Sequence, residues 1–100
     1  MQNAKPDPGR RALLVDPKDT VATALTDLAV GDEVSVEAGG ARVVVSLRTA
    51  VPFGHKVALR DIAKDALVLK YGETIGRATR AIAAGEHVHV HNIASLRAKR

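Results

Sequence analysis

Three stretches of this chain align with one another, and their alignment constrains the fold more than any other feature. They are ALTDLAVGDEVSV from Ala24, ALRDIAKDALVLK from Ala58 and ATRAIAAGEHVHV from Ala78. Each begins with alanine, places Leu or Ile four residues later, reaches a turn and continues with the alternating pattern of a half-buried strand. The sequence therefore predicts one small β unit, repeated along the chain, whose copies bury a shared core.

The repeated unit is predicted to consist of a single helical turn or short 3₁₀ segment, a turn and a strand. One aliphatic residue anchors the helical turn in each copy, namely Leu28, Ile62 and Ile82. Gly31 and Gly85 provide the positive φ of the turn, whereas the middle copy has Asp65, which tolerates that conformation less well. Gly39-Gly40 suits a two-residue hairpin between DEVSVEA and ARVVVSLR. The predicted fold class is mainly β, a compact domain with short one-turn helices.

The length of 100 residues allows one small domain with one modest core. We predict a disordered tail at residues 1–11, the domain at 12–96 and a basic tail at 97–100. The chain has no cysteine, which excludes disulfides, thiolate zinc sites and cysteine nucleophiles. No apolar run resembles a signal peptide or a membrane span, so we expect a cytoplasmic protein without a membrane partner.

The net charge of +4 arises from Lys and Arg residues that are concentrated at the two ends of the chain. Phe53 and Tyr71 are the only aromatic residues, so the sequence lacks a basic surface interleaved with aromatic side chains for stacking bases. We therefore expect no nucleic acid partner. An excess of positive charge also suits an anionic small substrate.

The stretch GEHVHVHN, residues 85–92, contains three of the four histidines. In a strand, His87, His89 and His91 share one face, and the two valines between them point into the core. Two adjacent histidines, about 7 Å apart along the strand, can bind one metal ion, whereas the outer pair is too far apart. A third ligand must come from elsewhere, and His55 is the remaining histidine. The alternative is that these are exposed strand histidines without a function.

A second candidate site is the segment AVPFGHKVAL. Pro52 ends the preceding strand, Gly54 permits close approach of the backbone, and His55-Lys56 places a titratable base beside a cation. Such a pair suits the binding of a carboxylate or the removal of a proton next to one. The alternative is a polar connecting loop that Phe53 anchors.

A third candidate site is LKYGETIGRA, in which Lys70, Tyr71 and Glu73 surround Gly72. A lysine, a phenol and a carboxylate brought together by a tight turn can bind an anion or relay a proton. The alternative is an exposed salt bridge between Lys70 and Glu73 that contributes little energy.

One continuous run of the chain resembles the small-subunit or N-terminal region of the altronate and galactarate dehydratase family, namely VPFGHKVALRDIAKDALVLKYGETIGRATRAIAAGEHVHVHNI, residues 51–93. The specific elements are PFGHK, KYGE followed by IG, and HVHN, in this order and spacing. In that family the region is an SAF domain, a β-clip module related to the C-terminal domain of sialic acid synthase and to type III antifreeze proteins. The resemblance extends from about Leu13 to Ile93 and implies a β-clip fold.

The resemblance also implies roles for individual positions of this chain. The implied catalytic residues are His55, Lys56, Lys70, Tyr71, Glu73 and Asn92, the substrate-binding residues are Gly54, Gly72 and His87, and the metal ligands are His89 and His91. The implied cofactor is a divalent metal ion, Fe²⁺, Mn²⁺ or Mg²⁺. The implied partners are a large catalytic subunit and a small-molecule hydroxy acid. Asp65 departs from the glycine of the other copies, which concerns turn geometry rather than chemistry.

The function that the resemblance implies is that of the small subunit of a metal-dependent sugar-acid dehydratase, inactive without its large subunit. In such an elimination, a base removes the proton next to the carboxylate and an acid assists departure of the β-hydroxyl. His89 or His91 would contact the metal or the leaving group, and Lys56 or Lys70 would hold the acid group. A related branch, sulfolactate sulfo-lyase, releases sulfite instead. The alternative from another class is a noncatalytic SAF-type module that binds a carbohydrate or protein partner.

Overall fold

The computed structural model of the chain describes residues 11–96. Nine β-strands and no α-helix lie within that range. The strands are β1 (Ala12–Leu13), β2 (Val21–Ala24), β3 (Glu33–Ala38), β4 (Ala41–Ser46), β5 (Lys56–Ala58), β6 (Leu67–Lys70), β7 (Glu73–Ala78), β8 (His87–Val88) and β9 (Ile93–Ser95). The prediction of a mainly β fold is confirmed, but the predicted one-turn helices are wrong.

The strands form three antiparallel sheets. One sheet has four strands in the order β1-β2-β5-β8, a second is the β3-β4 hairpin, and the third has the order β6-β7-β9. The hairpin turns at Gly39 and Gly40, whose φ values are +57° and +83°. Positive φ at both central residues is what the primed two-residue turn requires, so the predicted hairpin is confirmed.

A four-residue β-turn follows the anchor residue of each repeat as predicted, but the anchors themselves lie in isolated β-bridges and not in helical turns. In each repeat the N–H of the fourth turn residue donates to the carbonyl of the first over 3.0 Å, in the pairs Asp32–Ala29, Ala66–Ala63 and Glu86–Ala83. The third turn residue has a positive φ, 90° at Gly31, 74° at Asp65 and 91° at Gly85. Positive φ at the third position is typical of a type II turn, so the predicted turn is confirmed. Asp65 therefore adopts the left-handed conformation that the alignment predicted.

A fourth copy of this turn, absent from the three-copy alignment, lies at residues 52–55. His55 N donates to Pro52 O over 3.0 Å, and Gly54 has a φ of 84°. Isolated β-bridges just before the turns join the copies in pairs, Leu28 with Val51 and Ile62 with Ile82. The domain is thus built from two pairs of equivalent turns.

The two pairs of turns are structurally equivalent, because they make corresponding hydrogen bonds. Gly54 N donates to Ala24 O over 2.9 Å in one pair, and Gly85 N donates to Ala58 O over 2.8 Å in the other. Aspartates also correspond, since one in each pair accepts a backbone N–H, Asp27 from Phe53 at 2.9 Å and Asp61 from Ala84 at 3.0 Å. The fold is therefore a duplicated unit in which β5 pairs with β2 of the first copy and with β8 of the second.

The four-stranded sheet separates two aliphatic cores. β5 pairs with β8 so that Lys56 lies opposite Val88 and Val57 lies opposite His87. Val57 packs in one core, whereas Ala58 and Val88 pack in the other. Because side chains alternate across a strand, His87 shares a face with Val57, and Lys56 shares the opposite face with Val88. The sheet thus directs the histidine and the lysine to different sides of the domain.

The predicted tails fall almost wholly outside the described residues, which include Arg11 but none of residues 1–10 or 97–100. Arg11 contacts the folded domain, because its guanidinium donates to the carboxylate of Asp32 and its carbonyl accepts Leu25 N over 2.8 Å. In the part of the chain that the structure describes, there is no helix with the length and apolar character needed to cross a bilayer.

Candidate functional site

The histidine segment is a short strand followed by a turn. β8 ends one residue after His87, and the chain then turns between His89 and Asn92, with Asn92 N donating to His89 O over 3.1 Å. The first valine of the segment is buried as predicted, but Val90 is 81% exposed, so the strand prediction is wrong beyond β8. Because the chain folds back, the ring centres of His87 and His91 lie 5.1 Å apart, whereas an extended strand would separate them.

Three histidines converge at the end of the four-stranded sheet. One ring nitrogen from each of His55, His87 and His89 lies within 4.8 Å of the others. Nδ1 of His55 and Nε2 of His87 are 2.8 Å apart, and the rings of His55 and His89 stack with their centres 4.0 Å apart. His55 thus lies at the position that a third ligand beside His87 and His89 would need. His91, which was predicted to be a ligand together with His89, lies beside His87 but outside this group.

The electrostatics of this group favour neutral imidazoles. Burial lowers the pKa of His87 from its ordinary value of 6.5, and the neighbouring His55, His91, His89 and Lys56 lower it further. The pKa of His89 is lowered first by burial and then by His55, Lys56 and His91. Nδ1 of His89 is buried without a hydrogen-bond partner among residues 11–96. Neutral imidazoles and an unpartnered ring nitrogen fit a divalent metal ion of the kind that prefers nitrogen ligands.

Asn92 fixes the backbone of the histidine segment. Its side chain is fully buried, Oδ1 accepts His89 N over 3.0 Å, and Nδ2 donates to His87 O over 2.9 Å. Both polar groups are therefore engaged with the segment itself. Asn92 was predicted to be catalytic, and in the structure it holds the backbone at His87 and His89 in position.

The loop that carries His55 is held by its own backbone. Phe53 N donates to Asp27 Oδ1 over 2.9 Å, and Gly54 N donates to Ala24 O over 2.9 Å. Gly54 was predicted to bind substrate, but its N–H is engaged within the fold. A Cβ at this glycine would meet no atom within 4 Å, so the positive φ of the turn, rather than close packing, requires glycine.

Lys56 and Lys70 form a second basic group. Successive side chains alternate across a strand, so Lys56 points away from the adjacent His55, although the sequence placed them together. Burial and then the nearby Lys70 lower the pKa of Lys56. Nζ of Lys70 lies 4.7 Å from the ring centre of Tyr71, a cation–π distance. Glu73 is exposed and forms no ion pair with a lysine within residues 11–96.

Asp19 holds the turn between β6 and β7, and sequence reasoning did not identify it. This carboxylate is 1% exposed, and it accepts Tyr71 N at 2.9 Å and Gly72 N at 2.7 Å. Tyr71 has a φ of 58°, a conformation that these hydrogen bonds stabilise. The N–H of Gly72, which was predicted to bind substrate, is therefore engaged as well. Because Asp19 and Gly72 are 53 residues apart, no local pattern could reveal the contact.

The fold and the site define a class of small β domain in which repeated turns present a histidine cluster. Residues 10–96 match the sequence model of one protein family, the altronate/galactarate dehydratase SAF domain. The chain belongs to this family.

Three characterised proteins illustrate the relationship. The chain is 58% identical over 74 residues to altronate dehydratase of Escherichia coli (strain K12), covering 74% of the chain and 14% of that protein. It is 39% identical over 75 residues to altronate dehydratase of Bacillus subtilis (strain 168), covering 75% of the chain and 14% of that protein. It is 51% identical over 51 residues to (2R)-sulfolactate sulfo-lyase subunit alpha of Chromohalobacter salexigens, covering 51% of the chain and 54% of that protein. The chain thus spans a small part of the dehydratases and about half of the sulfo-lyase subunit.

Proposed function

We propose that this chain is the SAF-domain subunit of a metal-dependent hydroxy-acid lyase of the altronate or galactarate dehydratase type. The observation that carries the proposal is the convergence of His55, His87 and His89 in a member of the SAF domain family. Similarity to two altronate dehydratases supports elimination of water from a sugar acid. A large catalytic subunit completes the active site in this proposal.

The three converging histidines would hold a divalent ion through one ring nitrogen each. In an ideal tetrahedral site with bonds of about 2.1 Å, the ligand nitrogens are roughly 3.4 Å apart. The present separations of up to 4.8 Å therefore require only small rotations of the rings. When bound, such an ion supplies Lewis-acid stabilisation of the negative charge that develops next to the substrate carboxylate. Among Fe²⁺, Mn²⁺ and Mg²⁺, a ligand set of imidazoles favours Fe²⁺.

His91 is left outside the ligand group and can act on protons. Its side chain is exposed, and its ring centre lies 5.1 Å from that of His87, at the edge of the cluster. A neutral imidazole has one nitrogen that donates a proton and one that accepts it, which suits a general acid or base. In this proposal His91 exchanges a proton with the substrate, and Asn92 keeps the neighbouring histidines in position through its two hydrogen bonds.

Two exposed apolar side chains flank the cluster and support a protein partner there. Phe53 is 66% exposed and lies two residues before His55, and Val90 is 81% exposed and follows His89 directly. Large apolar side chains around a polar site are typical of an interface rather than of a free surface. Similarity to a protein named subunit alpha is consistent with a partner chain. We therefore expect the large subunit to cover the cluster and to bury both side chains.

The metal site is tested first on the purified chain. Titration calorimetry under anaerobic conditions measures Fe²⁺ binding to the wild type and to single alanine variants of the histidines. We expect His55→Ala, His87→Ala and His89→Ala each to weaken binding by about 100-fold, since each removes one ligand. His91→Ala is the matched control, because it removes an imidazole of the same segment that lies outside the converging group. Equal affinity for all four variants would refute the ligand assignment.

To test turnover, this chain is co-expressed with the proposed large subunit and the complex is purified. Altronate and galactarate dehydration and sulfite release from sulfolactate are assayed in parallel, because similarity to the sulfo-lyase subunit makes sulfolactate the second candidate substrate. We expect dehydration that the three ligand variants abolish while the complex stays intact. Sulfite release instead would assign the sulfo-lyase reaction. An intact complex whose turnover is unaffected by these variants would favour the noncatalytic binding module.

A further inference from the structure

Lys56 is held in a half-buried position at the centre of the four-stranded sheet. On one side β2 places Thr23 directly opposite Lys56, and on the other side β8 places Val88 opposite it. Directly opposed side chains of antiparallel strands lie about 5 Å apart on the same face. The aliphatic stem of Lys56 therefore packs between these two residues, and its ammonium group extends from a restricted position.

An unsatisfied hydroxyl accompanies this ammonium group. Oγ1 of Thr23 is buried and has no hydrogen-bond partner among residues 11–96. A threonine hydroxyl can donate one hydrogen bond and accept others, and buried polar groups are normally paired. A donor without an acceptor thus lies on the same face as Lys56.

A second cation approaches from the neighbouring sheet. Thr20 fixes the end of β6 against the start of β2, because its Oγ1 accepts Leu69 N over 3.0 Å and its own N–H donates to Leu69 O over 3.1 Å. This brings the next residue, Lys70, close enough to Lys56 to lower the pKa of that lysine. Neither lysine forms an ion pair within the described part of the chain. Glu73 lies opposite Lys70 across β6 and β7 but is exposed and forms no ion pair with it, so the two neighbouring cations favour the binding of an anion.

We propose that Lys56, Lys70 and Thr23 form a binding site for a carboxylate group on the face of β5 opposite the histidine cluster. The two ammonium groups supply the charge, and Thr23 Oγ1 donates a hydrogen bond to one carboxylate oxygen. Asp19, the buried carboxylate that holds the β6–β7 turn, does not serve as the anion of this site, because backbone N–H groups bind both of its oxygens. The identity of the ligand as a hydroxy acid rests on the proposed function, whereas the anion site requires neither metal nor turnover.

The test uses the full chain in the presence of a chelator and follows backbone and lysine side-chain NMR signals. The probe is sodium tartrate, a hydroxy dicarboxylate, and erythritol is the neutral control with the same number of carbons. We expect saturable shifts at Lys56, Lys70 and Thr23 with tartrate and none with erythritol. Lys56→Met and Lys70→Met should each weaken tartrate binding by about tenfold. Thr23→Val, which keeps the shape and removes the hydroxyl, should weaken it by about threefold.

Lys64→Met is the charge-matched control, because Lys64 is exposed and forms an ion pair with Asp65. Equal weakening by this variant would show a nonspecific charge effect and overturn the proposal. The proposal would also be overturned if Thr23→Val and Lys70→Met both kept the NMR spectrum of the folded chain and bound tartrate as tightly as the wild type does. If a partner's carboxylate side chain occupied the site instead, tartrate would cause no shifts and Lys56→Met would weaken the complex with the large subunit. That result would reject a small-molecule site without affecting the histidine proposal, which calorimetry tests separately.

Discussion

Gly85 and Gly31 provide a matched pair of substitutions that tests the repeat. Both occupy the third position of a type II turn, with φ values of +91° and +90°. A Cβ added at Gly31 would meet no atom within 4 Å, whereas a Cβ added at Gly85 would lie 2.0 Å from Ser46 O and 3.2 Å from Arg48 N. The two alanine variants therefore share the same backbone strain and differ in a steric clash with backbone atoms.

The expected magnitudes follow from these two contributions. Alanine at such a φ costs about 1–2 kcal/mol, which is the whole effect expected for Gly31→Ala. In Gly85→Ala the end of β4 must also move, which disturbs the hydrogen bonds from Gly85 N to Ala58 O and from Arg48 N to Gly85 O, 2.8 and 2.9 Å long. Forced overpacking adds about 1–3 kcal/mol. Gly85→Ala should therefore lower the free energy of unfolding by about 2–5 kcal/mol, a large part of the stability of a small domain.

Urea unfolding monitored by circular dichroism measures both variants at the same pH. For a domain of this size each kcal/mol lowers the melting temperature by about 4–8 °C, so thermal unfolding provides an independent comparison. We expect Gly85→Ala to be less stable than Gly31→Ala by at least about 1 kcal/mol. Equal stability of the two variants would show that the turn before His87 is not packed against the end of β4, and it would refute this account of the repeat.

Two further predictions concern the histidine segment. Asn92→Ala removes the hydrogen bonds to His89 N and His87 O. It should therefore lower the free energy of unfolding by about 2–4 kcal/mol and weaken Fe²⁺ binding by about tenfold. Wild-type affinity for Fe²⁺ in a folded variant, measured by calorimetry, would contradict this role. The lowered pKa values of His87 and His89 mean that the unfolded chain binds more protons than the folded chain at pH values below 6.5. The free energy of unfolding, measured in the presence of a chelator, should therefore fall as the pH is lowered from about 7.5 to about 5. A variant with Gln at both positions should show a weaker dependence on pH. An increase in stability on acidification would contradict the prediction.

The sequence was sufficient where short-range rules decide the structure. Alternation of apolar residues predicts the strands, Gly39-Gly40 predicts the hairpin, and alignment with Gly31 predicts the positive φ of Asp65. The same alignment failed to find the copy at residues 52–55, in which proline and histidine replace the small residues of the other copies. The helical turns were wrong because the aliphatic anchors favour helix and strand equally, and tertiary bridges decide between them.

The site was predictable only as a set of residue types. The alternation of His87 and His89 indicated a shared face, but the choice of His55 over His91 as the third member depends on where β8 ends and which strand pairs with it. The roles of Asp19 and Thr23 were not identified for a related reason. Their contacts join parts of the chain that are distant in sequence, so a pattern within one segment carries no information about them.

The repeat and the register of β5 with β8 explain why a lysine site and a histidine site lie on opposite faces. Lys56 and His87 are equivalent positions, each two residues after the positive-φ glycine of its turn. They belong to β5 and β8, which pair so that Lys56 lies opposite Val88 and Val57 lies opposite His87. Directly opposed residues of antiparallel strands share a face and successive residues alternate, so Lys56 and His87, which are offset by one residue in this register, point to opposite sides. One duplicated position thus presents an ammonium group on one face and an imidazole on the other. Substituting Lys56 should alter its own site strongly, and it should affect the histidine site only through the pKa values of His87 and His89, which Lys56 helps to lower.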